Sequence, residues 1–259
     1  MRTVAVGILM GLVVGAASQG QQGVPLPVAA ATATVPAADV RAMREMLADW
    51  PQLGRYRAEN AALAAPKAGE QRVVFFGSST TDNWGRKYGS VFFPGRPYVN
   101  RGIGGQTTPQ MLVRFQQDVV ALHPAAVVIL AGTNDVAGNT GPSTVEMAED
   151  CLRSMVSIAE ANGIKVIFGS QLPVVDFPWR RGLEPAERLK ALSAWEREYA
   201  AAHAMQYVDY YAVLAGADGA FRAGLSVDGV HPTAKGYELM APVVEKAIEA
   251  TLDEHGQGR

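Results

Sequence analysis

A side-chain hydroxyl becomes a nucleophile when a base takes its proton, an acid orients that base, and preorganised donors meet the oxyanion that forms. The 259-residue chain offers candidates for each role. Two hydroxyls stand side by side at Ser78 and Ser79, in Gly77-Ser78-Ser79-Thr80-Thr81. Among the histidines, His231 is the best base. His123 precedes a proline at a helix-to-strand junction, His203 lies near a helix end, and His255 is in the C-terminal tail. Asp228 lies three residues before His231, and on a turn that spacing can fold the carboxylate back onto the imidazole to fix its tautomer. Pro232 and Thr233 then stiffen the exit and can start a helix. Taken alone, Asp-x-x-His reads equally well as a loop acid and a loop histidine that meet only solvent. Asp209 is a second candidate acid, ranked behind Asp228.

Those residues need a scaffold that gathers them. Apolar runs at Val73–Phe76, Tyr98–Asn100, Ala126–Leu130, Lys165–Phe168 and Tyr207–Asp209 read as buried strands. Amphipathic stretches at Pro109–Leu122, Thr144–Asn162, Pro185–His203 and Ala234–Leu252 alternate with them. The alternation predicts an α/β fold, a three-layer α/β/α sandwich around a central parallel sheet of about five strands. Ligands of such sheets bind at the carboxyl ends of the strands. Ser78-Ser79, Gly102-Ile103-Gly104-Gly105 and Gly132-Thr133-Asn134-Asp135 each follow a strand directly, and Asp228–His231 sits just before the last helix.

These blocks, in this order, resemble the SGNH (GDSL-like) hydrolase family. Its pattern is Gly-Asp-Ser, then Gly, then Gly-Thr-Asn-Asp, then Asp-x-x-His-Pro. Asn100-Arg101-Gly102-Ile103-Gly104-Gly105 also resembles the branch of platelet-activating-factor acetylhydrolase catalytic subunits. The resemblance implies a flavodoxin-like sheet and a serine esterase in which Ser79 is the nucleophile and Asp228 and His231 complete the triad. It also implies an oxyanion hole formed by the backbone N–H of Ser79 and Gly105 and the side-chain amide of Asn134. One position departs from the pattern: Ser78 stands where the family has Asp. Ser78 is therefore an alternative nucleophile, although Ser79 fits the motif register, and its hydroxyl could instead cap the turn. Asp135 is expected to support the Asn134 loop, while Trp84, Phe177 and Trp179 read as packing ahead of substrate contacts, although loops at this sheet edge would line any cleft, and Arg180-Arg181 reads as a solvated pair ahead of a site for an acidic group.

Composition bounds the rest. With 48% hydrophobic and 19% charged residues the chain can bury a core, and a net charge of −2 without a basic run excludes attraction to nucleic acid or anionic lipid. Residues 1–18 carry one positive charge, a short apolar stretch and small residues at Ala16 and Ser18, the order of a secretory signal peptide. That stretch falls short of the ~20 apolar residues a membrane anchor needs. Residues 19–37 read as a flexible linker, and 38–259 as the hydrolase domain with an N-terminal helical extension. Cys151, the single cysteine, reads as a small apolar residue. No metal-ligand spacing and no phosphate loop is present, so no cofactor is expected. The expected protein is exported, periplasmic or extracellular, and acts on a small-molecule or glycan ester with a short acyl group. Alternatives are a non-catalytic ligand- or carbohydrate-binding protein of the same fold, a lysophospholipase or thioesterase, or an enzyme that transfers its acyl group to an alcohol.

Overall fold

The structure, a computed structural model, describes residues 36–253. The signal peptide, most of the linker and His255 lie outside the described residues. The chain separates into a unit ending at Arg44 and a unit from Glu45 onward. A helix, α1 (Ala37–Ala48), crosses that boundary.

In the second unit a short helix, α2 (Arg57–Ala62), precedes the sheet. Strands β1 (Val73–Gly77), β2 (Tyr98–Gly102), β3 (Ala126–Leu130), β4 (Lys165–Gly169) and β5 (Gln206–Val208) form one sheet in the order β2-β1-β3-β4-β5, every pair parallel. The order reverses direction between β1 and β3, the kind of switch point at which open α/β sheets hold ligands. Helices α3 (Ser79–Asn83), α4 (Thr108–Asp118), α5 (Thr133–Ala137), α6 (Val145–Ala161), α7 (Ala186–Ala202), α8 (Tyr210–Leu214) and α9 (Ala234–Asp253) complete the unit.

Alternate strand residues face opposite layers, as the pleat requires. Val73, Phe75, Val128 and Ile167 pack with Tyr237, Met240 and Val244 of α9. Val74, Phe76, Val127, Ile129 and Phe168 pack with Met111 and Phe115 of α4 and Leu152 and Met155 of α6. Burying side chains on both faces explains why the strands read as unbroken apolar runs. The stretch expected to run to Leu122 as one helix instead ends at Asp118, and a 3-10 turn (Val120–Leu122) follows.

The segment before β1 is tied to the unit by polar side chains. Gln106, Gln110 and Gln117 donate to the carbonyls of Pro51, Trp50 and Leu53 at 2.7, 2.7 and 2.9 Å. Asn60 donates to Asp118 Oδ1 at 2.7 Å and accepts from Arg101 Nε at 2.7 Å. Tyr56 is fully buried, its hydroxyl donating to the Gly102 carbonyl and accepting from Arg86.

Candidate active site

Ser79 is the first residue of α3, directly after β1 and Ser78, and is half-buried. That short helix is locked from two sides. Asn100 Nδ2 donates to the carbonyls of Thr81 and Trp84 at 2.6 and 3.0 Å, and Tyr237 donates its hydroxyl to the Thr80 carbonyl at 2.8 Å. A Cβ at Gly102 would collide with the backbone of Thr81 and Asp82, so only glycine lets β2 lie this close to α3.

His231 Nε2 is 2.8 Å from Ser79 Oγ, and His231 Nδ1 is 2.7 Å from Asp228 Oδ2. Asp228 Oδ1 also accepts the N–H groups of Val230 and His231 at 2.9 and 2.8 Å. Burial pushes the Asp228 carboxyl upward, but hydrogen bonds from the His231 ring and from these two amides outweigh it and hold it below the usual carboxylate range. Ser226 Oγ knits the turn by accepting from Gly229 N at 2.9 Å and donating to the His231 carbonyl at 2.8 Å.

The amides of Ser79 and Gly105 have no acceptor among the described residues. Gly105 has φ +79°, and the space where its side chain would stand is open. Asn134, 4% exposed, donates through Nδ2 to the Gln106 carbonyl at 2.9 Å, which leaves one amide hydrogen uncommitted. Its Oδ1 accepts from Asn139 Nδ2 at 2.9 Å, fixing which way the amide faces.

Beneath these donors lies a buried polar network that the sequence reading passed over. Arg114 is fully buried and donates to Gln106 Oε1, the carbonyls of Arg101 and Gly77, and Asp118 Oδ2 at 2.6, 2.8, 3.0 and 3.1 Å. Burial pushes its guanidinium down to about 10 against the opposing pull of Asp118. One side chain thus joins the ends of β1 and β2 to Gln106, whose carbonyl holds Asn134. A charged i,i+4 pair on the apolar face of α4, shared with Met111 and Phe115, was the available signal. Asp135 does support its loop: it is 2% exposed and accepts from the Thr108 amide at 3.0 Å and the Thr108 hydroxyl at 2.6 Å. Burial raises its carboxyl to about 6 despite these bonds.

Ser78 makes no side-chain cap on α3, so its hydroxyl does not cap the turn as expected. Asp82, one turn along, accepts from the Gly104 amide at 3.2 Å and from Arg86 at 2.6 Å. Asp209 is engaged elsewhere, accepting from Ala212 N at 2.9 Å and Arg197 at 2.7 Å, while the imidazole pairs with Asp228. Trp84 and Phe177 are packing residues, 3% and 0% exposed. Trp179 is not: it is 47% exposed and its ring lies 6.4 Å from that of His231. Arg181 pairs with Asp176 at the surface. Arg180, by contrast, donates to the carbonyls of Ala137 and Gly138 and binds its loop to α5. Cys151 is half-buried on α6, its thiol raised by burial. Among the described residues no group of three or more His, Cys, Asp or Glu side chains could hold a metal ion, and no helix is long and apolar enough to cross a membrane.

Comparison with known proteins bears on the same region. A GDSL-like lipase from Bacteroides thetaiotaomicron is 44% identical, with 77% of this chain covering 98% of that one at a TM-score of 0.74. A Bacteroides fragilis protein named for acylhydrolase activity is 42% identical, with 78% and 98% covered and a TM-score of 0.75. An acetylxylan esterase of Xylanibacter ruminicola is 25% identical over 225 residues, 73% of this chain and 45% of that protein. The chain spans less than half the length of the curated relatives it matches. The profile of the GDSL-like Lipase/Acylhydrolase family matches residues 69–239, from the approach to β1 into α9. The chain belongs to the GDSL-like lipase/acylhydrolase family.

Proposed function

We propose that the protein is a serine carboxylic-ester hydrolase that works through an acyl-enzyme on short acyl esters, acetyl groups on carbohydrates foremost. The observation that carries this reading is the unbroken chain from Ser79 Oγ to His231 Nε2, and from His231 Nδ1 to Asp228, at 2.8 and 2.7 Å beside two unused backbone amides. His231 takes the Ser79 proton as Oγ attacks the ester carbonyl. The oxyanion accepts the Ser79 and Gly105 amides and the free Asn134 amide hydrogen. Collapse breaks the bond to the alcohol oxygen, which leaves with the proton from His231. Water, deprotonated by the same imidazole, then attacks the acyl carbonyl, and Oγ regains its proton as the carboxylic acid departs. Asp228 holds the imidazole in the tautomer this requires and stabilises its charged form.

The acetyl and carbohydrate assignment draws on the acetylxylan esterase relative. We also read the chain as exported, on the charge, apolar stretch and small residues of positions 1–18. A series of p-nitrophenyl esters from acetyl to decanoyl, with mass detection of the acylated peptide, tests the reaction. Highest kcat/KM on acetyl and an adduct on the Ser79 peptide are expected. Absence of turnover and of adduct across the series would favour a ligand-binding protein of the same fold.

A further inference from the structure

Two aromatic side chains beside His231 are left unclaimed by the core. Trp179 is 47% exposed with its ring 6.4 Å from the imidazole, and Tyr88 is 40% exposed with its ring 6.5 Å away. They come from different connections, one after β4 and the other after α3. Tyr88 has φ +58°, a backbone conformation that bulky residues seldom adopt.

The indole is held in place. Phe177, fully buried, backs it at 5.1 Å, and an antiparallel bridge from Phe177 to Arg180 closes the loop. Arg180 then fastens the loop to the carbonyls at the end of α5. Trp179 Nε1 donates to Asn139 Oδ1 at 3.3 Å, and Asn139 Nδ2 donates to the Gly105 carbonyl at 3.1 Å and to Asn134 Oδ1 at 2.9 Å. One side chain therefore separates the exposed ring from two of the three loops that carry the proposed oxyanion donors, those of Gly105 and Asn134.

We infer that Trp179, with Tyr88, is the platform for the alcohol half of the ester, that this half is a sugar ring, and that Asn139 is a positioning residue tying the platform to Asn134 and Gly105. The inference rests on Ser79 being the nucleophile. A fixed, half-exposed aromatic face beside the base lies where the departing alcohol must leave. The C–H face of a pyranose covers such a ring while its hydroxyls stay in water; a short aliphatic alcohol has no flat face to offer. Asn139 fixes the Asn134 amide through its oxygen, so its loss acts on the chemical step whatever the alcohol.

The test compares an acetylated methyl xylopyranoside with ethyl acetate, which share an acyl group and differ in the alcohol. For Trp179→Ala the ratio of kcat/KM, sugar ester over ethyl ester, falls about tenfold to thirtyfold, chiefly through KM on the sugar ester. Trp179→Phe, which keeps a ring and loses the donor, recovers most of that ratio. Asn139→Ala lowers kcat about tenfold on both esters and moves the ratio far less than Trp179→Ala does, because Phe177 and Arg180 still hold the indole. Equal losses on both esters for Trp179→Ala overturn the platform while the nucleophile reading stands. A wild type that hydrolyses neither ester, with Ser79 unlabelled by a fluorophosphonate, overturns the nucleophile reading instead. The platform is then decided by titrating xylotriose into Ser79→Ala and Ser79→Ala/Trp179→Ala and following tryptophan fluorescence. A saturable change only with Trp179 present supports it, and the same change without Trp179 overturns it.

Discussion

The two halves of the candidate site are built in opposite ways. The Asp228–His231 turn makes itself: every hydrogen bond that shapes it joins residues within five positions, from Ser226 to His231. The donor side, at the ends of β1, β2 and β3, is assembled from afar. Arg114 reaches Gly77 across 37 positions, Asn134 reaches Gln106 across 28, and Tyr237 reaches Thr80 across 157. A base can be pre-shaped by a local turn and need only be delivered to the hydroxyl. The oxyanion hole proposed here has no such shortcut, because Ser79, Gly105 and Asn134 come from three loops and their spacing is a property of the whole sheet.

The largest effect that sharpens this contrast is Ser79→Ala, which should lower kcat by at least ~10⁴-fold while the protein still folds. Ser78→Ala should stay within about threefold, and steady-state kinetics with mass detection of the adduct separates the two; an adduct that moves to Ser78 would break the register of the donor side. Next is Arg114→Ala. It leaves Asp118 buried without its ionic partner and takes one donor each from the carbonyls of Gly77 and Arg101 and from Gln106 Oε1, and should cost about 3–5 kcal/mol in urea unfolding. A loss under 1 kcal/mol would mean that the donor side stands without its network.

Asp135 comes third. With its folded carboxyl at about 6 and an ordinary unfolded value near 3.8, the folded state holds the proton more tightly. Stability is fully present below the unfolded value and falls as pH rises through about 6, by on the order of 2–3 kcal/mol. Unfolding free energies measured from pH 4 to pH 7 should show that fall relative to Asp135→Asn, and parallel curves would refute it. The smallest effect belongs to the local half. Ser226→Ala removes one hydroxyl from the turn, and should lower kcat/KM tenfold or less and the unfolding free energy by no more than about 1 kcal/mol.

The same contrast explains what could be read in the sequence. Asp228, His231 and Pro232 are legible because their geometry is encoded in adjacent residues. The five strands are legible because burial on both faces leaves unbroken apolar runs, and their ends then mark where Ser79, Gly105 and Asn134 belong. Strand lengths shift by one or two residues, as at β2, where Arg101 and Gly102 extend the pairing with β1. Arg114 shows in the sequence only as a charged pair with Asp118 on the apolar face of α4, and Gln106 and Asn139 leave no local trace: they act through bonds to other loops, and a Gln or Asn in a loop looks like any solvated residue. Trp179 departs from the packing expected first of it because a loop aromatic carries no mark of which way it faces.

Gln106 also fixes where this molecule can be cut. Its amide holds the Pro51 carbonyl, its Oε1 takes Arg114 Nε, and its own carbonyl takes Asn134 Nδ2. The stretch from Trp50 to Asn60 lies upstream of the family-matched residues 69–239, yet through Gln106 it is one contact removed from Asn134. A chain trimmed to the family boundaries would keep every motif and lose the clasp on Gln106, whereas a carrier attached upstream of Trp50 would leave that clasp whole.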